Sequence, residues 1–92
     1  MQTIWKFELP MSNDTQVIYM PVGAKPLCVH EQRGKVQIWA FVNDDAQVKP
    51  RTFYIRGTGQ NCDGMDGKDY VGTFEALAGL LVLHLFAEPE EP

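Results

Sequence analysis

The sequence predicts an all-β domain, a small antiparallel sandwich or barrel-like sheet of six to seven short strands. Apolar and polar residues alternate in short runs, and turn residues interrupt these runs at short intervals. The 92 residues suit one domain, and the 45% of apolar residues are typical of a globular chain. We therefore expect a single β domain over residues 1–88, followed by a frayed acidic tail over residues 89–92.

Proline, glycine, asparagine and aspartate separate the predicted strands, and these residues are typical of turns. The first run places Trp5 and Phe7 on one face and Lys6 on the other, which predicts that one face meets water. The short Arg33-Gly34 connection predicts a hairpin. The seven runs are residues 5–9, 16–20, 27–32, 36–42, 52–56, 70–74 and 80–86.

The fourth and seventh runs are apolar on both faces, which predicts two central strands that are covered on both sides. Trp39 and Phe41 lie on the second face of the fourth run. We expect these aromatic side chains to cover the core, because exposing them to water is unfavourable. The alternative is an exposed patch, where they would anchor a partner or a second copy.

The composition argues against several kinds of partner. The net charge is −4, and the eight basic residues form no stripe that could follow a phosphate backbone, so we expect no nucleic acid. No apolar run is long enough to span a membrane, and the residues after Met1 lack the pattern of a signal peptide. Cys28 and Cys62 are expected to be reduced cysteines of a cytosolic protein.

The most suggestive segment is the acidic loop, residues 57–69, in which Asp63, Asp66 and Asp69 recur at every third position. The spacing does not match the calcium loop of EF-hands, so we expect solvated carboxylates and no metal. A loop of this length in a small domain is often a binding loop. The Gly57-Thr58-Gly59 segment leaves open a cradle of backbone N–H groups for the phosphate of a small nucleotide.

No catalytic constellation is recognisable, so we expect no enzyme. Cys28 and His30 point to the same face of one predicted strand, but nothing in the pattern supplies an orienting acid or an oxyanion hole. The Gly-x-Ser-x-Gly signature of serine hydrolases is also missing from the sequence.

Seven segments, taken in order, form a recognisable pattern over residues 3–87. They are Ile4-Trp5-Lys6-Phe7, Met20-Pro21-Val22-Gly23-Ala24, Trp39-Ala40-Phe41-Val42, Arg51-Thr52-Phe53, Ile55-Arg56-Gly57-Thr58-Gly59, Tyr70-Val71-Gly72-Thr73-Phe74 and Leu81-Val82-Leu83-His84-Leu85-Phe86. This pattern resembles a family of small proteins encoded by tailed bacteriophages and prophages, a family known only as a domain of unknown function. The resemblance implies a phage or prophage product that acts in the host bacterial cytoplasm, and it brings no catalytic residues.

These observations lead us to expect a non-enzymatic, phage-derived binding protein without a cofactor. Its partner is expected to be a host or phage protein with a basic surface, and inhibition of a host defence factor is one such role. The alternatives are a sponge for a small nucleotide and a structural or assembly component of the virion; a homodimer through edge strands also stays open. The expected partner-binding residues are Tyr54, Arg56, Thr58, Asp63, Asp66 and Asp69.

Overall fold

A computed structural model of the chain describes residues 1–90, which form seven β-strands in two antiparallel sheets. The three-stranded sheet has the order β1-β4-β3, and the four-stranded sheet has the order β2-β5-β7-β6. The prediction of a small antiparallel sandwich is confirmed. The strands are β1 (Gln2–Glu8), β2 (Thr15–Pro21), β3 (Lys25–Gln32), β4 (Lys35–Asn43), β5 (Val48–Gly57), β6 (Asp69–Ala76) and β7 (Leu81–Ala87).

Strands β4 and β7 each lie between two neighbours, as expected from runs that are apolar on both faces. The hairpin predicted at Arg33-Gly34 joins β3 to β4. Within residues 1–90, no helix is long and apolar enough to cross a bilayer. Two residues of the expected acidic tail, 91 and 92, lie outside the described range.

The core lies between the two sheets and is built from alternate residues of the strands. Ile38 and Ala40 of β4 face Phe53 of β5 and Leu85 of β7 across this layer in one buried cluster, and all four have an exposed fraction of 0%. Burial of such side chains is the main force that holds two sheets face to face. Inward residues thus alternate with outward ones along both β4 and β5.

The expectation that Trp39 and Phe41 cover the core is wrong. Phe41 is 40% exposed and Trp39 is half-buried, on the face of β4 that points away from the four-stranded sheet. Residues 1–90 form two layers, so no strand among them packs over the second face of the three-stranded sheet. Trp39 instead contacts the neighbouring strand, where its ring centroid lies 4.5 Å from that of His30.

The two sheets approach each other closely at Gly72 of β6. A Cβ atom at this position would lie 3.2 Å from Cγ1 of Val29 on β3. This distance leaves no room for a larger side chain, because Val29 is itself buried in the core.

We predict that Gly72→Val lowers the free energy of unfolding by about 1–3 kcal/mol, because the added methyl groups overpack the contact with Val29. The matched control is Gly67→Val, where a Cβ would meet no atom within 4 Å; we expect a change of less than about 0.5 kcal/mol there. Urea denaturation of both variants measures the difference, and equal effects would contradict the close approach of the sheets.

Candidate functional site

The acidic loop crosses the four-stranded sheet. Strands β5 and β6 both pair antiparallel with β7, so they run parallel to each other on opposite sides of β7. The connection between them must therefore pass over β7. We call the face of this sheet that points away from the three-stranded sheet the outer surface, and His84 and Glu88 lie on it because they alternate with buried Leu85 and Ala87.

Both ends of the acidic loop contact side chains of the outer surface. The Oγ1 of Thr58 lies 2.8 Å from Nε2 of His84. At the other end, Nζ of Lys68 lies 2.7 Å from Oε2 of Glu88. The loop consequently crosses on the outer surface and not between the sheets.

Three successive turns order the acidic loop from within. The backbone N–H groups of Gln60, Met65 and Lys68 each donate to the carbonyl oxygen three residues earlier, at N···O distances of 3.0 Å. The backbone N–H of Asp63 donates to Oδ1 of Asn61 at 2.7 Å, which is an Asx turn. The loop thus has a defined path, although most of its side chains are exposed.

Met65 is a buried apolar side chain of the acidic loop. Its exposed fraction is 7%, yet it is not part of the buried cluster between the sheets. Its burial therefore arises where the loop lies over the outer surface. Sequence reasoning missed this residue, although an apolar side chain alone among Asp, Gly and Asn residues is the signal that could have revealed it.

A chain of hydrogen bonds runs across the outer surface through His84. Its Nδ1 lies 2.9 Å from Oγ1 of Thr73, which also bonds the hydroxyl of Tyr70. On the other side, Thr58 lies between Nε2 and the carbonyl oxygen of Val82, at 3.5 Å from the latter. Each hydroxyl in this chain can donate or accept, so the tautomer of His84 sets the direction of its bonds to Thr58 and Thr73.

A second cluster surrounds Tyr54. Its hydroxyl donates to Oε2 of Glu88 at 2.8 Å, and the cationic groups of Lys68 and Arg56 lie 5.4 Å and 6.0 Å from its ring centroid. The hydrogen bond from Lys68, followed by that from Tyr54, holds the pKa of the Glu88 carboxyl below its ordinary value. The same bonds to Glu88 raise the pKa values of Lys68 and Tyr54.

The structure divides the six residues that the sequence singled out into three groups. Tyr54, Arg56 and Thr58 come together on the outer surface, beside β7. Asp63 and Asp66 are exposed in the acidic loop, and neither forms an ion pair with residues 1–90. Asp69 turns away from both, and its Oδ2 lies 3.7 Å from Nη2 of Arg51.

This separation bears on metal binding. In the part of the chain that the structure describes, no three His, Cys, Asp or Glu side chains are arranged to hold a metal ion. A hard cation needs several oxygen ligands around one point. The acidic loop carboxylates do not form such a group among residues 1–90.

The burial of Met65 is expected to stabilise the fold. Met65→Ala is expected to lower the free energy of unfolding by about 2 kcal/mol, because the loop loses its only buried apolar contact among the described residues. The control is Met11→Ala, since Met11 is 43% exposed, with an expected change below about 0.5 kcal/mol. Urea denaturation, with limited proteolysis to detect opening of the acidic loop, decides between them; equal stability of both variants would contradict the anchoring.

The stability that Glu88 contributes is expected to depend on pH. A lowered pKa of Glu88 means that its contribution to stability is present above the ordinary value of 4.5 and is lost as the pH falls through the lowered value. Glu88→Gln is therefore expected to be less stable than the wild type at neutral pH, and the difference is expected to vanish well below pH 4.5. Urea denaturation at both pH values measures this, and a difference that persists in acid would contradict the prediction.

The chain was compared with known proteins. No curated protein and no solved structure matches it. A family model described as a domain of unknown function (DUF7352) matches residues 1–92. The match covers the whole sandwich, including the acidic loop and the outer surface that it crosses. The chain belongs to this family, DUF7352.

Proposed function

We propose that the protein is a non-enzymatic, phage- or prophage-encoded binding domain that contacts a host or phage protein in the bacterial cytoplasm. Its binding site is the acidic loop together with the part of the outer surface around Tyr54 and Arg56. The observation that carries the proposal is the crossing of the sheet by an ordered loop that holds Asp63 and Asp66 in water without ion partners among residues 1–90.

Exposed aromatic and apolar side chains on the same surface support this proposal. Val17 and Tyr19 of β2 point to the same side as Tyr54, because Thr15 pairs directly with Tyr54 and they alternate with buried residues. They are 54% and 65% exposed, and Tyr70 on the opposite edge is 60% exposed. Aromatic residues supply much of the energy of protein interfaces, and contiguous exposed apolar surface marks them.

Charge indicates the kind of partner. Asp63 and Asp66 bring exposed negative charge to this surface, in a chain of net charge −4. Such an arrangement speeds encounter with a positively charged patch and disfavours acidic partners. A host or phage protein with a basic surface therefore fits the site best, and inhibition of a host defence factor is the role that we propose for the complex.

The arrangement of candidate nucleophiles supports a binding role over a catalytic one. His84 has hydroxyls of Thr58 and Thr73 on its two ring nitrogens, so no carboxylate orients it as a base. Cys28 and His30 lie on the exposed face of the three-stranded sheet, where His30 packs against Trp39.

A small nucleotide is the second candidate ligand. The cationic groups of Arg56 and Lys68 near the half-buried ring of Tyr54 would suit a phosphate beside a base. A thermal-shift screen of nucleotides separates this candidate from a protein partner, because a bound nucleotide raises the melting temperature by mass action.

We predict that Asp63→Asn/Asp66→Asn weakens capture of the partner at least about tenfold, because the paired charges across the interface are lost. The control is Glu8→Gln/Glu31→Gln, which removes the same charge from exposed residues of the three-stranded sheet. Tagged wild type and variants are used to capture proteins from infected cells, and the affinity for the stoichiometric partner is then measured with purified components. Equal affinity of the two double variants would exclude the acidic loop, and presence of the protein in purified virions would favour an assembly role.

A further inference from the structure

The cleft around Arg51 lies between the turn after β2, the start of β6 and the end of β7, and neither Asp63 nor Asp66 lines it. We propose that it is a second binding site, specific for an acidic peptide segment of a partner, and that the chain's own Glu90 occupies it as an internal ligand. The proposal does not depend on the function assigned to the acidic loop, because it does not use Asp63 or Asp66 and concerns another ligand chemistry.

Arg51 provides the fixed positive charge of this cleft. Its side chain is 8% exposed, and it points inward between the sheets with Phe53 and Ile55. Nη1 donates to the carbonyl oxygen of Ala24 at 2.6 Å, and Nε donates to that of Glu88 at 3.1 Å. These two bonds orient the guanidinium, so its remaining N–H groups point into the cleft.

Glu90 places a carboxylate against these groups. Its two oxygens accept the backbone N–H of Gly23 at 3.0 Å and 3.1 Å, and Oε1 lies 3.5 Å from Nη1 of Arg51. Gly23 has a φ of +83° in the turn after β2, where Ala24 N–H bonds the carbonyl oxygen of Pro21. A backbone N–H and a buried arginine together form a carboxylate receptor, and the structure contains that receptor with a carboxylate bound.

The cleft has more space than the single carboxylate of Glu90 fills. Cavities of about 420 Å³ and 380 Å³ lie on its two sides, and Arg51 and Glu90 line both of them. Lys49 lines the first and Lys25 lines the second. Neither lysine forms an ion pair within residues 1–90. These two lysines can each pair with a further carboxylate, which favours a ligand that carries more than one.

Two acidic side chains near the cleft are already engaged. Asp69 lies 3.7 Å from Arg51, and the carboxylate of Glu88 bonds Lys68 and Tyr54 on the outer surface. Neither neutralises Lys25 or Lys49. The occupant itself, Glu90 after Pro89, indicates that an extended, proline-containing acidic segment fits the cleft.

The internal ligand is held weakly enough to be displaced. The side chain of Glu90 is 34% exposed, so water and salt screen its attraction to Arg51. After its release, Arg51 keeps its bonds to Ala24 and Glu88 and its contact with Asp69. A partner's acidic segment and Glu90 therefore compete for one site, and the fraction of time that Glu90 is bound reduces the apparent affinity.

The test uses the full-length chain and the variant Glu90→Ala, with a fluorescent peptide of sequence Ala-Glu-Pro-Glu-Glu-Pro as the probe. Fluorescence anisotropy is expected to give at least tenfold tighter binding to Glu90→Ala than to the wild type. The same peptide with glutamine at all glutamate positions is expected not to bind. In NMR spectra, the amide signal of Gly23 is expected to shift in Glu90→Ala and to return toward its wild-type position when the peptide is added.

Further variants make the site itself testable. In the Glu90→Ala background, Lys25→Gln/Lys49→Gln is expected to weaken peptide binding, and Lys35→Gln, a lysine of β4 outside the cleft, is expected to leave it unchanged. Glu90→Gln replaces Glu90→Ala if the latter does not fold. Equal peptide affinity of wild type and variant, or no binding to either, overturns the proposal. Binding of inorganic phosphate but not of the peptide to Glu90→Ala also overturns it.

Discussion

The buried guanidinium of Arg51 constrains one whole end of the sandwich. A charge removed from water is tolerated only where hydrogen bonds and opposite charges surround it, so its position dictates that of its neighbours. From β5 it reaches the turn before β3 through Ala24, the start of β6 through Asp69 and the end of β7 through Glu88. Four parts of the chain that are distant in sequence are thereby brought to one point, beside the apolar cluster between the sheets.

Inward and outward side chains alternate along each strand, and this alternation builds both the core and the polar outer surface. Leu85 and Ala87 of β7 face inward with an exposed fraction of 0%, so His84, between Val82 and Phe86, must face outward. The acidic loop partly covers these outward residues. Its side chains Thr58 and Lys68 bond His84 and Glu88 of the sheet. This side of the molecule therefore combines hydrogen-bonded side chains on the sheet with exposed carboxylates in the acidic loop.

Local patterns were enough to predict much of this architecture. Alternation revealed all seven strands, and the apolar second faces around Trp39 and Phe86 placed β4 and β7 in central positions. The same pattern could not tell a covered face from an exposed one, so it misled at Trp39. It also contained no sign that Asp69 would turn to Arg51, because that contact depends on strand order. Pairing across long sequence distances is set by the whole chain, not by any single run.

The crossing of β7 by the acidic loop also has a consequence for the time course of folding. In the four-stranded sheet, β6 has one neighbour, β7, which follows it in the chain, and β7 also completes the pairing of β5. Strand β5 and its second neighbour, β7, are therefore separated by about thirty residues of chain. Contacts between residues so far apart in sequence form slowly. The acidic loop can take its place over β7 only once β7 is present, because β7 follows the loop in the chain.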